Sequence, residues 1–364
     1  MDLLRYQKQI ILPEINTKGQ SKISEGKVLC VGAGGLGSPL LLYLAAAGVG
    51  TIGIIDGDNV DISNLQRQIL FKTNDIGKNK AFCAKKTLNQ LNPTITIHRY
   101  EEYLSSQNCI DLFKQYDVIV DGSDNFATKY LINDAAVKVG RPVVYASVIG
   151  FEGQVSIFDS HNNGPCYRCL YPTPPNIHIN NCAEAGIIGS VVGILGTLQS
   201  LQTLYVLLGY DHCMQHSIIS LLGKLLVYNL KNMESSIFNL QKNVACKTCS
   251  KTKEEIFINS TELSTCRSLN FELDFPNAKN FSGVILDVRE ENERANGFIP
   301  SSVHIPFSII TKNSKILHQF NKQNQCLVYC QSGIRSQQVA QIMNKLSFKH
   351  VYNLKGGYLT WLQT

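Results

Sequence analysis

Three groups of residues have the types and spacing to do chemistry. The first is a glycine turn, Gly32-Ala33-Gly34-Gly35-Leu36-Gly37, which matches G-x-G-x-x-G. Glycines let a backbone approach a phosphate, and a helix starting there adds N–H donors and a positive dipole end. Asp56 ends the next apolar run and suits a ribose hydroxyl. A dinucleotide enzyme would look the same at this point. Further charged residues favour a triphosphate over NAD: Ser63-Asn64-Leu65-Gln66-Arg67, then Lys80 opening a helix, then Asp124 and Asn125 after another strand. Arg67 and Lys80 would neutralise phosphate oxygens and Asp124 would hold Mg²⁺. Each alone reads as a surface charge; their common position after strand C-termini, where α/β sheets bind ligands, gives them a shared purpose.

The second group is cysteine. The chain has 12. Cys166-x-x-Cys169 and Cys246-x-x-Cys249 are two knuckles, the ligand set of a closed tetrahedral Zn²⁺ site with a structural role. Two redox dithiols are the alternative. Cys182 lies in Asn181-Cys182-Ala183-Glu184-Ala185-Gly186, after a proline-rich loop. A loop cysteine ahead of a helix can have a lowered thiol pKa. Cys30, Cys83, Cys109, Cys213, Cys266 and Cys326 have no motif and read as packing residues.

The third group is Cys330-Gln331-Ser332-Gly333-Ile334-Arg335-Ser336, between an apolar strand and a helix. Successive N–H groups in such a loop form an anion nest that stabilises a thiolate or persulfide. Phosphatases use a similar cradle with one more residue between cysteine and arginine.

The elements needed to position these groups can be read from periodicity. Residues 27–31, the glycine turn, a helix over 38–47 and a β-branched strand over 51–55 form a βαβ unit. Strands follow at 116–120, 142–146, 154–159 and 224–230, with helices at 80–91 and 128–139. The expectation is a doubly wound, Rossmann-like parallel sheet with helices on both faces over residues 1–250. A charged, aperiodic stretch near 251–255 marks a linker. Strands at 284–288, 303–305 and 326–330 and a helix over 336–346 then form a smaller α/β domain over 256–364.

Composition narrows the class. Of 364 residues, 44% are hydrophobic and 17% charged, far from a disordered chain. The net charge of +6 is mild and no basic-aromatic run suggests nucleic acid. It does suit an acidic partner or ATP. No signal peptide is visible, and polar residues interrupt the apolar stretch 187–208, so a buried helix in a cytoplasmic protein without membrane contact is expected.

With these residues in place, 1–250 resembles the MoeB/ThiF adenylyltransferases of molybdopterin and thiamine biosynthesis, relatives of ubiquitin-activating enzymes. The resemblance rests on VGAGGLGSP, SNLQRQ, DIGKNKA, DGSDNFATKYLIND, FEGQVSIF and GPCYRCLYPTPP. It implies a homodimer, ATP contacts at Gly35, Asp56, Ser63 to Arg67, Lys80, Asp124 and Asn125, magnesium on Asp124, and the four cysteine ligands of zinc. It also implies that Cys182 attacks the adenylate or links to the carrier. Residues 256–364 resemble a single rhodanese domain through Asp287-Val288-Arg289-Glu290, Gly297-Phe298-Ile299-Pro300, the Cys330 loop and Gly356-Gly357-Tyr358. Together they imply an adenylyltransferase and sulfurtransferase. It would act on a ubiquitin-like sulfur carrier ending in Gly-Gly, with sulfur from a cysteine desulfurase or thiosulfate. The product would serve molybdopterin, thiamine or tRNA thiolation. Departures are Lys8 for an arginine, Gln202 and Tyr205 for an ionic pair, Phe298 for histidine and Gln331 for an arginine. Rival readings are a non-catalytic scaffold for a ubiquitin-like modifier, an NAD-dependent dehydrogenase, and an adenylating enzyme acting on another acceptor.

Overall fold

The computed structural model describes residues 4–174, 186–258, 272–273, 278–279, 281–354 and 356–362. The chain divides into two compact units, Met1–Leu263 and Ser264–Thr364.

The first unit is built on an eight-stranded sheet. Its strands are β1 (Lys27–Val31), β2 (Thr51–Ile55), β3 (Thr96–Tyr100), β4 (Val118–Asp121), β5 (Val143–Ile149), β6 (Glu152–Phe158), β7 (Lys224–Asn229) and β8 (Glu234–Asn239), in the order β3-β2-β1-β4-β5-β6-β7-β8. The first five in that order are parallel, as expected. The rest is a correction: β6, β7 and β8 pair antiparallel, so the sheet is mixed. Parallel neighbours need helical crossovers, whereas β5–β6 and β7–β8 are joined by tight turns that permit only the antiparallel arrangement.

The parallel strands are near-continuous apolar runs because helices cover both faces. Helix Gly37–Ala47 follows β1 directly, and Gly48, in the left-handed region, ends it. Helix Gly189–Leu208 packs on Gly37–Ala47 and on β5 and β6. It is the one described helix long and apolar enough to cross a membrane, yet half of it is buried in the fold. Gln202 within it accepts from Leu221 N (2.9 Å) and so ties down the loop before β7.

The second unit has five parallel strands: β9 (Glu272–Leu273), β10 (Val284–Asp287), β11 (Val303–His304), β12 (Gln325–Tyr329) and β13 (His350–Leu354), ordered β11-β10-β12-β13-β9. Helix Ile334–Lys345 starts immediately after the turn that follows β12. Both sheets therefore place their motif loops at the C-terminal ends of central parallel strands.

Candidate functional site

In the first unit the glycine turn lies between the ends of β1 and β4. Gly32 has φ +93° and its place leaves no room for a side chain against Gly122. A Cβ on Gly37 would overlap the Gly32 carbonyl oxygen, so the turn closes only with glycine there. Asp56, just past β2, accepts from Ala33 N (2.8 Å) and Asp58 N (2.9 Å). Its carboxyl is nonetheless raised above the ordinary range, because burial outweighs Lys80 and these N–H donors. Such a carboxyl is anchored to the turn and strengthened as a hydrogen-bonding partner by its low-dielectric setting.

Lys80 opens helix Lys80–Leu91, whose N-cap Asn79 accepts from Phe82 N (3.0 Å). Its buried ammonium donates to Asp58 (2.8 Å), and Tyr103 donates to the other Asp58 oxygen (2.6 Å). Burial alone would raise the Asp58 carboxyl; the Lys80 and Tyr103 hydrogen bonds prevail and lower it. The same bond to Asp58 pushes the Tyr103 phenol up to about 12. Asp61 caps the short turn Ile62–Asn64 by accepting from Ser63 N (2.8 Å) and Ser63 Oγ (2.6 Å). Arg67 lies beside Gly35, with its stem 3.5 Å from where a Gly35 Cβ would stand, and donates to Ser63 O (3.0 Å). Asn64, Leu65 and Gln66 complete this turn. Asn125 is the N-cap of helix Phe126–Val139 and accepts from Thr128 N (2.9 Å). Asp124 before it is exposed, with no hydrogen bond or ion pair among the described residues. Gly35, Asp56, Ser63, Arg67, Lys80, Asp124 and Asn125 thus share one rim of the sheet.

Sequence reasoning missed what supports that rim. Asp121 and Lys129, 2% and 5% exposed, form an ion pair at 3.0 Å beneath the loop that carries Asp124. Asp121 also accepts from Ser123 N (3.0 Å) and Ser123 Oγ (2.5 Å), while Lys129 donates to Ala146 O (3.0 Å). Gln199 donates to the carbonyls of Asp121 (2.8 Å) and Val144 (2.9 Å). The available signal was a lysine on a mostly apolar helix after a strand-ending aspartate.

The four knuckle cysteines converge. Their sulfurs all lie within 4.8 Å of one another. Cys166–Cys246, Cys169–Cys249 and Cys166–Cys169 are 3.5, 3.4 and 3.9 Å apart. A tetrahedral zinc with Zn–S near 2.3 Å would set sulfurs about 3.8 Å apart, so the donor set fits that ion. The knuckle is braced by Arg168, which forks onto Asp134 (2.9 and 2.8 Å), and by Thr248 on the same carboxylate (3.1 Å). Cys30, Cys83, Cys109, Cys213 and Cys326 are buried packing residues; Cys182 and Cys266 lie outside the described residues.

In the second unit Cys330 is buried at the floor of its loop. Gly333 N (3.2 Å) and Ser336 Oγ (3.4 Å) point at its sulfur, and Ser336 is held by Asn353 (2.6 Å). Tyr358 N donates to the Cys330 carbonyl (2.8 Å). Gly357, at φ +61°, packs where a Cβ would meet that carbonyl at 2.5 Å. Arg289, 1% exposed, forks onto Asp287 (3.0 and 2.9 Å) and reaches Gln331 Oε1 (3.3 Å). Arg335 forks onto Glu293 (2.6 and 2.5 Å). That bond raises the Arg335 guanidinium and lowers the Glu293 carboxyl.

One unit is therefore a Rossmann-like domain with a phosphate-type turn and a four-thiol cluster, and the other presents a cysteine in a backbone cradle. Known proteins agree. Residues 6–248 match the ThiF family and residues 273–364 a rhodanese-like domain. A probable molybdopterin-synthase adenylyltransferase of Porphyra purpurea is 37% identical, over 98% of this chain and 92% of its own. A probable adenylyltransferase/sulfurtransferase MoeZ of Mycobacterium tuberculosis is 36% identical, over 99% and 93%. The adenylyltransferase and sulfurtransferase MOCS3 of Xenopus laevis is 34% identical, over 100% and 86%. A crystal structure of E. coli MccB with MccA-N7isoASN shares the fold, with a TM-score of 0.60 at 20% identity over 69% of this chain and 75% of that one. The chain belongs to the ThiF family and carries a rhodanese-like domain at its C-terminal end. It is an enzyme of the adenylyltransferase and sulfurtransferase class.

Proposed function

We propose that this enzyme activates the C-terminal glycine of a ubiquitin-like sulfur-carrier protein with ATP, then supplies the activated carbonyl with sulfur held on Cys330. The observation that carries the reading is the common rim. The glycine turn, Asp56, Arg67, Lys80 and Asp124 meet at the C-terminal ends of parallel strands, where an open α/β sheet takes its ligand.

The ribose lies against Asp56, and the phosphates lie over the turn and the N-terminus of helix Gly37–Ala47. Arg67 and Lys80 face the phosphates, with Lys80 leaving Asp58 to do so. Asp124 would hold magnesium, which would supply positive charge against the leaving pyrophosphate. The carrier carboxylate attacks the α-phosphorus, pyrophosphate departs, and an acyl-adenylate remains. A persulfide on Cys330 attacks the carbonyl through its outer sulfur and expels AMP, giving an acyl disulfide. Cleavage of that disulfide by a further thiol releases the thiocarboxylate. Cys182 takes the acyl group first if a thioester precedes sulfur transfer. Zinc on the four knuckle cysteines is structural, since four thiolates leave no open ligand position. Exposed Lys8, in the helix Gln7–Ile10, faces the partner's phosphates in a homodimer.

The test is carrier-dependent ATP–pyrophosphate exchange. Asp124→Ala abolishes it while far-UV circular dichroism stays unchanged; exchange at the unmodified level would remove Asp124 from the mechanism. Exchange supported by NAD, or none with any Gly-Gly-ending carrier, would favour the rival readings.

A further inference from the structure

Three carboxylates, Asp56, Asp58 and Asp61, stand on the rim that takes the triphosphate in the reading above. Two of them are committed to the fold. Asp56 accepts from Ala33 N and Asp58 N, and Asp61 accepts from Ser63 N and Ser63 Oγ. Asp58 differs, because one of its partners is a cation that the phosphates need. Its Oδ2 accepts from Lys80 Nζ (2.8 Å) and its Oδ1 from the Tyr103 hydroxyl (2.6 Å).

The Lys80 side chain is 7% exposed and that of Asp58 50% exposed. A buried ammonium needs a counter-charge, and Asp58 is its ionic partner among the described residues. The Asp58 backbone is fixed as well: its carbonyl accepts from Lys80 N (2.9 Å) and Asn79 Nδ2 (3.2 Å). Only the carboxylate is left to respond when Lys80 turns to a ligand. Tyr103 is held where it meets that response. Its ring lies against Gly57, where a Cβ would meet ring carbons at 2.7 to 2.9 Å. Its carbonyl accepts from Asn108 Nδ2 (3.0 Å), and Leu104 beside it is buried. The ring is therefore anchored from both sides although much of it faces solvent.

We propose that Tyr103 is a positioning residue for adenylation, acting through Asp58 to make Lys80 available to the phosphates. This rests on the reading of Lys80 as a phosphate-facing residue. In the free enzyme the Asp58 carboxylate is shared between an ammonium and a phenol. Once Lys80 turns away, Tyr103 is the donor that stays, and a carboxylate freed of its cation is the stronger acceptor. The Tyr103 bond therefore contributes more with nucleotide bound than without it. Deleting the hydroxyl has two effects of the same sign. Asp58 holds Lys80 harder, and after release it faces the phosphates with only solvent to offset its charge. Both weaken ATP binding. Neither touches the bond-forming atoms, so the loss falls on affinity and KM and not on kcat.

The experiment is isothermal titration of the full chain with ATP and magnesium, paired with pyrophosphate exchange driven by a Gly-Gly-ending ubiquitin-like carrier. Tyr103→Phe keeps the ring over Gly57 and removes only the hydroxyl. It raises the Kd and KM for ATP about three- to tenfold, the scale of part of one charge-assisted hydrogen bond, and leaves kcat within about twofold. In an Asp58→Asn background the same change moves Kd by less than about twofold, because the competing carboxylate is gone. A ring that served only to pack on Gly57 would give the same loss in both backgrounds. An unchanged Kd in Tyr103→Phe, a loss confined to kcat, or an undiminished loss in the Asp58→Asn background overturns the proposal. The reading of Lys80 is tested apart. Lys80→Met is made together with Asp58→Asn, so that neither charge is left unpaired, and is titrated against Asp58→Asn alone. Equal affinities overturn the phosphate role of Lys80 and the Tyr103 proposal with it. Weaker binding by the double variant upholds that role even where Tyr103→Phe overturns the proposal.

Discussion

Replacing Lys129 with methionine tests how the rim is supported. The substitution keeps most of the aliphatic stem and removes the ammonium. Asp121, 2% exposed, would keep Ser123 N–H and O–H as donors but lose its only ionic partner among the described residues. Breaking a buried pair by deleting one partner costs about 3–5 kcal/mol, because a charge is left uncompensated. The two surviving hydrogen bonds place this case near the lower end. Losing the Ala146 carbonyl's donor and the contact of the ammonium with the Tyr145 ring (4.9 Å) adds back a fraction. About 3–4 kcal/mol is expected. At a slope of roughly 2–3 kcal/mol per molar urea, the midpoint of the first unit falls by about 1–2 M. The chain has one tryptophan, Trp361, in the second unit. Far-UV circular dichroism, dominated by the larger unit, should shift while Trp361 fluorescence does not. Asp121→Asn added to Lys129→Met removes the orphaned charge and recovers part of the loss. A midpoint lowered by less than about 0.3 M would mean that the pair contributes little, and the reasoning about its burial would be wrong.

Gly37→Ala should remove nucleotide binding, because its Cβ collides with the Gly32 carbonyl; isothermal titration with ATP checks this, and an unchanged Kd would contradict it. Cys249→Ala should leave less than stoichiometric zinc by elemental analysis and lower the melting temperature of the first unit, since metal binding and folding are coupled. Acid should loosen the second unit. The Glu293 carboxyl is depressed in the folded state, so its contribution is complete above the ordinary value of 4.5 and is lost as pH falls through the depressed one. Trp361-monitored melting should therefore fall more steeply below that pH in the unsubstituted enzyme than in Glu293→Gln.

Much of this was legible in the sequence because the relevant signals are local. The glycine turn, the apolar β1, β2 and β4, the knuckle pairs and the Cys330 loop each lie within a short stretch. What was missed depends on neighbours distant in the chain. β3, Thr-Ile-His-Arg-Tyr, is a mostly exposed edge strand with a single deeply buried residue, Ile97, so it has no apolar run to read. β8 is exposed throughout and is a strand because it pairs with β7. The antiparallel end of the sheet depends on turn geometry between strands, which the strands' own composition does not encode. Lys129 and Glu293 read as surface charges; their roles appear only when folding sets them against Asp121 and Arg335. The absent arginine at Gln331 was visible as a departure, whereas the pairing of Arg289 with Asp287 and of Arg335 with Glu293 was not.

The central claim is that one chain both activates a carrier's carboxylate and supplies its sulfur. The direct measurement is the intact mass of a Gly-Gly-ending ubiquitin-like carrier after incubation with this enzyme, ATP, magnesium, glutathione persulfide and a reducing thiol. The account predicts oxygen-to-sulfur exchange at the carrier C-terminus with the unsubstituted enzyme. It predicts only adenylation with Cys330→Ser and no change with Asp124→Ala. Thiocarboxylate formed in full by the Cys330→Ser enzyme would contradict it.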